Sequence, residues 1–399
     1  MKPLLISILL SSFIYFEYLG ISIPLINTIF GLLGLYLLIH SDKKTWIVTG
    51  FLIAIFWFWW IALSFRDYGF AWAIPIGITI IALIYAFIFW ILAYISQKTK
   101  IYPPFINIIM IFAISYIHPF GFDWLKLELI FVDSYIGISP LDFILVLISL
   151  SLIKYSRYYI LISLLAINPN LSIVSFQDKN IDLITTNISI KDKWDIDLID
   201  KNIKNTFKLI QNSIDNNFST VILPESIIPK FINKNEYIKD RLKEYSNHIS
   251  IIIGGLYLDD NGTPRNSTYI FIQDNIKIAN KVVLVPFGEA NPLPKFLSDI
   301  VNKIFYDGAI DYKASKNIYD YTIDNIKYRN AICFEATSEK LYKNSPKYMI
   351  AISNLNWFMP STQPTLQKLL LKYYHRKYGT IIYHSINGSR SYIVLSKIK

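Results

Sequence analysis

The sequence predicts two physically different halves: a multi-span bundle of membrane helices over residues 1–169 and an α/β domain over residues 170–399. Three observations predict this. The chain is 53% hydrophobic over 399 residues, which is high for a water-soluble protein. Its charge is uneven, with nine Lys/Arg and seven Asp/Glu in residues 1–169, against 30 and 22 in the rest. Long apolar runs fill the first part, and short β-branched runs alternating with polar segments fill the second.

The membrane runs come first. Pro3–Phe16, Ile21–His40, Thr45–Ser64, Ala71–Ser96 and Tyr102–Phe120 approach or exceed the roughly 20 residues that cross a bilayer. A less apolar stretch, Gly121–Pro140, precedes two shorter runs, Leu141–Ile153 and Tyr158–Ile167. About seven spans result. The first run lacks a small-x-small cleavage site and reads as a retained helix. With the N-terminus inside, inner loops hold Lys2, Lys43, Lys44, Lys98, Lys100, Lys154 and Arg157, and outer loops hold only Arg66 and Lys126. The positive-inside rule selects that orientation and puts everything after residue 169 outside the cytoplasm.

The α/β half has predicted strands at Ile181–Ile188, Thr220–Leu223, Ile249–Tyr257, Thr268–Gln273, Lys277–Val283, Ala331–Phe334, Tyr348–Ser353 and Thr380–Ser385. Predicted helices are Asp200–Asn216, Lys234–Tyr245, Pro294–Ile304 and Pro364–Tyr378. Helices therefore cover a sheet. This half carries a net charge of +8, but its lysines are scattered and form no nucleic-acid motif. Beside a bilayer such charge favours anionic headgroups. One cysteine excludes an internal disulfide, and the five histidines lack metal-ligand spacing. No metal and no cofactor are expected.

Three segments place a reactive residue at the end of an apolar strand, where α/β folds build their sites. Val221–Glu225 ends in a carboxylate after a proline. Lys281 opens an apolar run that closes with Val285-Pro286-Phe287-Gly288-Glu289. Ala331-Ile332 leads into Cys333-Phe334-Glu335 and a polar turn, a possible strand-to-helix elbow. Read singly, each has a commoner use. Glu225 suits a helix cap, Lys281 a solvated strand edge, and Cys333 a small buried hydrophobe.

Taken in order, Leu-Pro-Glu-Ser, then Lys with Val-Pro-Phe-Gly-Glu, then Ile-Cys-Phe-Glu resembles the nitrilase superfamily. With the multi-span half, the chain is similar within it to the bacterial apolipoprotein N-acyltransferase family. Arg265-Asn266-Ser267, Gly121–Leu125 and Ser353–Phe358 are further local matches. The resemblance implies an α-β-β-α sandwich and a triad of Glu225, Lys281 and Cys333. It implies supporting roles for Glu289, Glu335 and the Phe334 backbone, and substrate contacts from Asn266, Trp357, Phe358 and Trp124. It also implies a thioester mechanism, a phospholipid donor such as phosphatidylethanolamine, and a diacylated apolipoprotein acceptor. A monomer in the inner membrane, with its catalytic domain on the periplasmic side, completes the expectation. Phe334 stands where the family commonly has Tyr, and Tyr-Gly-Thr and His-Ser-Ile-Asn occupy a region where it usually has arginines. The family also usually continues beyond Gly388 into a final membrane helix. A membrane-tethered amidase and a non-catalytic binding protein are the competing readings.

Overall fold

The computed structural model describes residues 1–99, 103–168, 180–295 and 312–395. The chain divides into two compact units. The first is Met1–Ile173 with Pro360–Lys377, and the second is Val174–Met359 with Tyr378–Lys399.

The first unit contains α1 (Lys2–Tyr18), α2 (Pro24–Ile39), α3 (Lys43–Phe58), α4 (Ile74–Lys98), α5 (Pro103–Ile114) and α6 (Pro140–Leu152). Short 3₁₀ segments at Trp59–Arg66 and Arg157–Ala166 add to α3 and follow α6. The caps follow from sequence. Asp42 accepts the Thr45 N–H at the start of α3, and Ser139 with Asp142 forms a capping box on α6. Among the described residues, three stretches are long and apolar enough to cross a bilayer, Lys43–Arg66, Ala71–Lys98 and Pro104–Gly121. Pro24–Ile39, Pro140–Leu152 and Arg157–Ala166 are apolar but shorter. Leu4, Ile29, Ile80, Leu83 and Phe87 point outward, as lipid-facing side chains do. Inside, α3 and α4 meet closely. A Cβ on Gly50 would lie 2.6 Å from the Phe89 ring, so glycine permits the approach.

A late segment completes this unit. The helix of Gln363–Tyr378 has Lys368, Lys372 and Arg376 on one stripe, four residues apart. Lys368 and Lys372 pair with Glu17 at 3.0 and 3.1 Å, and Lys372 pairs with Asp133 at 2.7 Å. Arg376 donates to the carbonyls of Phe131, Val132 and Ile136. Tyr373 donates to the buried Glu128 carboxylate.

The second unit holds two six-stranded sheets. Its strands are β1 (Ile181–Leu183), β2 (Thr185–Thr186), β3 (Thr220–Ile222), β4 (Ile228–Phe231), β5 (Ser250–Leu258), β6 (Pro264–Ile272), β7 (Asn275–Asn280), β8 (Asp320–Ile323), β9 (Ile326–Ile332), β10 (Tyr348–Asn354), β11 (Ile381–Asn387) and β12 (Tyr392–Val394). One sheet runs β1-β3-β5-β6-β7, with β4 on β5. The other runs β12-β11-β10-β9-β8, with β2 on β11. The predicted strand Ile181–Ile188 is thus two strands, which pair into different sheets. The chain crosses from one sheet to the other at Ile184, a change that a continuous β-branched run conceals.

The sheets pack face to face. Ile222, Ile252 and Ile270 of one meet Tyr328, Ile332, Ile350 and Tyr383 of the other in a buried apolar core. The outer face of the first sheet is covered by α8 (Ile196–Asp215) and α9 (Glu236–Ser246), after a short α7 (Ile190–Trp194). Ile203, Phe207 and Ile210 form the buried stripe of α8, and Ile238 and Leu242 that of α9. The helix Gln363–Tyr378, here α10, links the parallel β10 and β11. The predicted helix Pro294–Ile304 lies almost wholly outside the described residues.

Candidate functional site

The strand ends gather the predicted residues. Glu225 follows β3, Lys281 follows β7, and Cys333 follows β9. Parallel pairing of β9 with β10 sets Ile332 beside Ile352, so the end of β10 lies next to the Cys333 turn. Each segment bends through a left-handed residue: Ser226 (φ 47°), Phe287 (φ 62°) and Cys333 itself (φ 54°). Such angles cost about 1–3 kcal/mol each in a residue with a Cβ and collect at functional sites. Cys333 opens a 3₁₀ turn, Cys333–Thr337, rather than ending a strand. That is the elbow the sequence suggested.

Glu225 is almost fully buried and its carboxylate is fully engaged. Oε1 accepts from Asn266 Nδ2 at 2.7 Å and Oε2 from the Asn354 backbone N–H at 2.8 Å. Lys281, only 1% exposed, places Nζ 3.7 Å from Glu225 and 2.8 Å from Glu289. Burial alone pulls the Lys281 ammonium down, but Glu289, Glu225 and Cys333 together push it well above the ordinary lysine range. It is a fixed cation. The Cys333 thiol is pushed well above the ordinary thiol range. Burial is the main cause and the Glu225 carboxylate adds to it, while Lys281 pulls the other way. At rest the sulfur therefore keeps its proton, and losing it requires a nearby base and cation.

The supporting residues have identifiable tasks. Glu289 holds Lys281 and accepts the Val285 N–H at 2.9 Å, so it belongs to its own turn as well as to the lysine. Glu335 is fully buried and accepts from the backbone N–H groups of Ile332, Val282 and Val283 at 2.8, 2.6 and 3.0 Å. It fastens the Cys333 elbow to the strand end beside Lys281. Burial raises its carboxyl to about 7, against Lys281 and those N–H groups.

Asn266, expected as a substrate contact, bridges two carboxylates. Its Nδ2 donates to Glu225 and to Glu289 Oε1 at 2.8 Å. Trp357 and Phe358 are half-buried in a 3₁₀ turn just after Asn354. Trp124 is buried within the first unit, packed on Trp60 and Phe122.

The sequence did not mark Gly254 or Lys193 as site residues, and it gave Asn354 only as part of the Ser353–Phe358 match. A Cβ on Gly254 would lie 2.5 Å from the Ser226 nitrogen, 2.6 Å from Glu225 Cα and 2.7 Å from the Pro224 oxygen. The neighbours are backbone, so they cannot swing aside. Gly254→Ala is expected to displace the Glu225 turn and lower turnover about 10- to 100-fold, with a stability cost of about 1–3 kcal/mol. Steady-state rates with thermal unfolding of the purified protein check this. The only cue in sequence was a Gly-Gly pair inside an apolar strand.

The profile of the apolipoprotein N-acyltransferase integral membrane domain matches residues 1–171. The apolipoprotein N-acyltransferase of Wolinella succinogenes is 36% identical over 395 residues, covering 97% of this chain and 94% of that protein. The chain belongs to the apolipoprotein N-acyltransferase family. The Helicobacter pylori member is 33% identical over 372 residues, covering 91% of this chain and 86% of that protein. Among solved structures, a CN-hydrolase superfamily protein from Xanthomonas campestris is 13% identical with a TM-score of 0.40, covering 54% of this chain and 81% of that one. Family membership bears out the resemblance to that family read from the sequence.

Proposed function

We propose that the protein N-acylates the N-terminal diacylglyceryl cysteine of apolipoproteins, with Cys333 carrying the acyl chain as a thioester. The observation that carries this reading is the convergence of a buried carboxylate, a fixed ammonium and the only cysteine, in a chain of this family.

The chemistry runs in two steps. Glu225 takes the thiol proton, and Sγ attacks the ester carbonyl of a phospholipid, the sn-1 chain of phosphatidylethanolamine. The developing oxyanion faces the Lys281 ammonium and the Phe334 backbone N–H. The carbon–oxygen bond breaks, the lysophospholipid leaves with the proton held by Glu225, and the thioester remains. The α-amine of the diacylglyceryl cysteine then attacks the thioester. Glu225 takes the amine proton, the carbon–sulfur bond breaks, and the thiol is regenerated. Glu289 keeps Lys281 in place and Glu335 keeps the elbow in register. Trp357 and Phe358 contact the acyl chain. The membrane half has a physical purpose, since lipid substrates leave a bilayer at about 0.8 kcal/mol per CH₂ and meet the enzyme more readily by lateral diffusion.

A donor–acceptor assay tests the reading. The purified protein is given phosphatidylethanolamine labelled in the sn-1 chain and a diacylglyceryl-cysteine peptide. Label is expected in a hydroxylamine-stable amide on the peptide. Hydrolysis of a small amide without acyl transfer would instead support a tethered amidase. Neither activity would support a binding protein.

We further propose that the second unit lies on the periplasmic side of the inner membrane, because seven of nine Lys/Arg in the first part fall in the loops assigned inside. Asn261 is exposed. In a Cys333→Ala background, Asn261→Cys is expected to react with an impermeant maleimide in intact spheroplasts. Reaction only after permeabilisation would reverse the orientation.

A further inference from the structure

Lys193 has no part in the steps above, yet it is buried beside them. It sits on α7 and is 1% exposed. Its Nζ donates to the main-chain carbonyl of Glu225 at 3.3 Å. Among the described residues no carboxylate lies within ion-pair distance of it, and a lysine on a short polar helix could have stayed in water. Burying an ammonium with a carbonyl as its hydrogen-bond acceptor is unfavourable unless negative charge lies close by.

The surrounding structure shows that this placement is built. Ser189 caps α7 by accepting the Asp192 N–H at 3.1 Å. Asn202 of α8 donates to the Asp192 carbonyl at 3.0 Å. Just before the cap, Ile188 is gripped by Asn387, whose Oδ1 accepts the Ile188 N–H at 2.8 Å and whose Nδ2 donates to the Ile188 carbonyl at 2.9 Å. The same Nδ2 donates to Asn354 Oδ1 at 2.7 Å. One asparagine at the end of β11 thus ties together two of the groups that hold Glu225. Asn354 holds its carboxylate, and α7 delivers Lys193 to its carbonyl.

Charge gives the second part. Lys281 lies between two carboxylates, Glu225 and Glu289. Two carboxylates beside one ammonium leave this buried cluster short of positive charge, and the negative charge passes onto Cys333 when its proton moves to Glu225. The charged and titratable groups acting on Lys193 are Glu225 and Cys333, with Lys281, Glu289 and Glu335 next to those. Lys191 and Asp192, its neighbours on α7, are exposed. We infer that Lys193 is a positioning residue that fixes the Glu225 turn and supplies the second positive charge that balances the cluster as the proton passes from Cys333 to Glu225. Burial brings its own ammonium down to about 8, so it remains mostly charged at neutral pH.

This inference rests on the proposed role of Glu225 as the base for Cys333, and its test is separable from acyl transfer. The full chain in detergent is alkylated with iodoacetamide across pH 5 to 10, and modification of Cys333 is followed by mass. Lys193→Met and Lys193→Gln remove the charge, and Lys193→Arg keeps it. The neutral variants are expected to slow alkylation about tenfold at each pH in this range, the equivalent of about one pH unit on the thiol. Arginine is expected to restore most of the wild-type profile. In the donor–acceptor assay the neutral variants should lose kcat about tenfold with KM little changed. A Met or Gln profile that overlays the wild type, with only thermal stability altered, would overturn the inference. Normal alkylation shifts without acyl transfer by the wild type would instead overturn the proposed function and leave Lys193 standing as a positioning residue for Glu225.

Discussion

Replacing Cys333 by alanine is expected to abolish acyl transfer, lowering turnover by at least about 10⁴-fold, while the protein still folds and inserts. The size follows from covalent catalysis. Without the sulfur there is no thioester, and the phospholipid ester would have to meet the acceptor amine directly. The fold should survive because Cys333 is only partly buried and its turn is secured by others. The elbow is held by the Glu335 carboxylate on the Ile332 N–H and by the 3₁₀ turn that follows. Thermal unfolding should shift by no more than about 1 kcal/mol, as for a small change at the edge of a core. Cys333→Ser is a sharper version. It keeps the shape but offers a hydroxyl whose proton is much harder to remove, so it should be almost as inactive. Steady-state transfer with the unfolding curve of each variant checks both statements. A variant that transfers acyl chains at more than a few per cent of the wild-type rate would exclude a thioester on this residue.

Glu225→Gln carries the second largest effect. The substitution keeps the volume but removes the base, and general acid–base catalysis contributes about 10²–10⁴-fold. It also turns one carboxylate oxygen into a donor. Both oxygens now accept, from Asn266 Nδ2 and from the Asn354 N–H. A glutamine amide must set its NH₂ against one of these donors, at a cost of about 1–3 kcal/mol in a buried site. The expected signature is a loss of about 10³-fold in the acylation burst, measured by rapid quench, with donor binding little changed. Lys281 would keep its pairing with Glu289 at 2.8 Å, so the site should stay assembled. Loss of donor binding with an unchanged burst rate would assign Glu225 to substrate contact instead.

Much of the site was legible because its residues obey a local rule. Glu225 and Cys333 each follow an apolar strand, Lys281 opens an apolar run, and the ends of strands are where α/β folds build their sites. The motif order then tied three weak signals into one. Glu289 was legible for the same reason, since it closes the turn that Lys281 opens. The role of Asn266 was not. Its sequence neighbours suggest only a strand, and the amide bridge between Glu225 and Glu289 exists only once β6 and β7 pair. Lys193 was hidden more completely. It lies in Ile-Lys-Asp-Lys-Trp, where alternating charge reads as a solvated surface, and its burial follows from the Asn387 grip some 200 residues away.

The fold shows the same division. Amphipathic helices such as α8 were readable from the spacing of Ile203, Phe207 and Ile210. The change of sheet between β1 and β2 was not, because one run of Ile and Thr serves two partners. The helix α10 was foreseen as a helix and assigned with the α/β half. Its lysines at four-residue spacing resemble a water-exposed stripe, and only Glu17 and Asp133 reveal that they pair inside the first unit. Those carboxylates lie among the few charges of the apolar half, where an ionised group needs a partner.

Acyl transfer through Cys333 passes through one covalent species, the acyl thioester. The purified protein should be mixed with phosphatidylethanolamine bearing a single defined sn-1 chain, without acceptor, then quenched and examined by intact mass and peptide mapping. The predicted result is a mass gain equal to that acyl group, located on the Cys333 peptide, released by hydroxylamine and chased onto a diacylglyceryl-cysteine peptide. Transfer to the peptide with no adduct on Cys333, or an adduct that survives in Cys333→Ala, would contradict it.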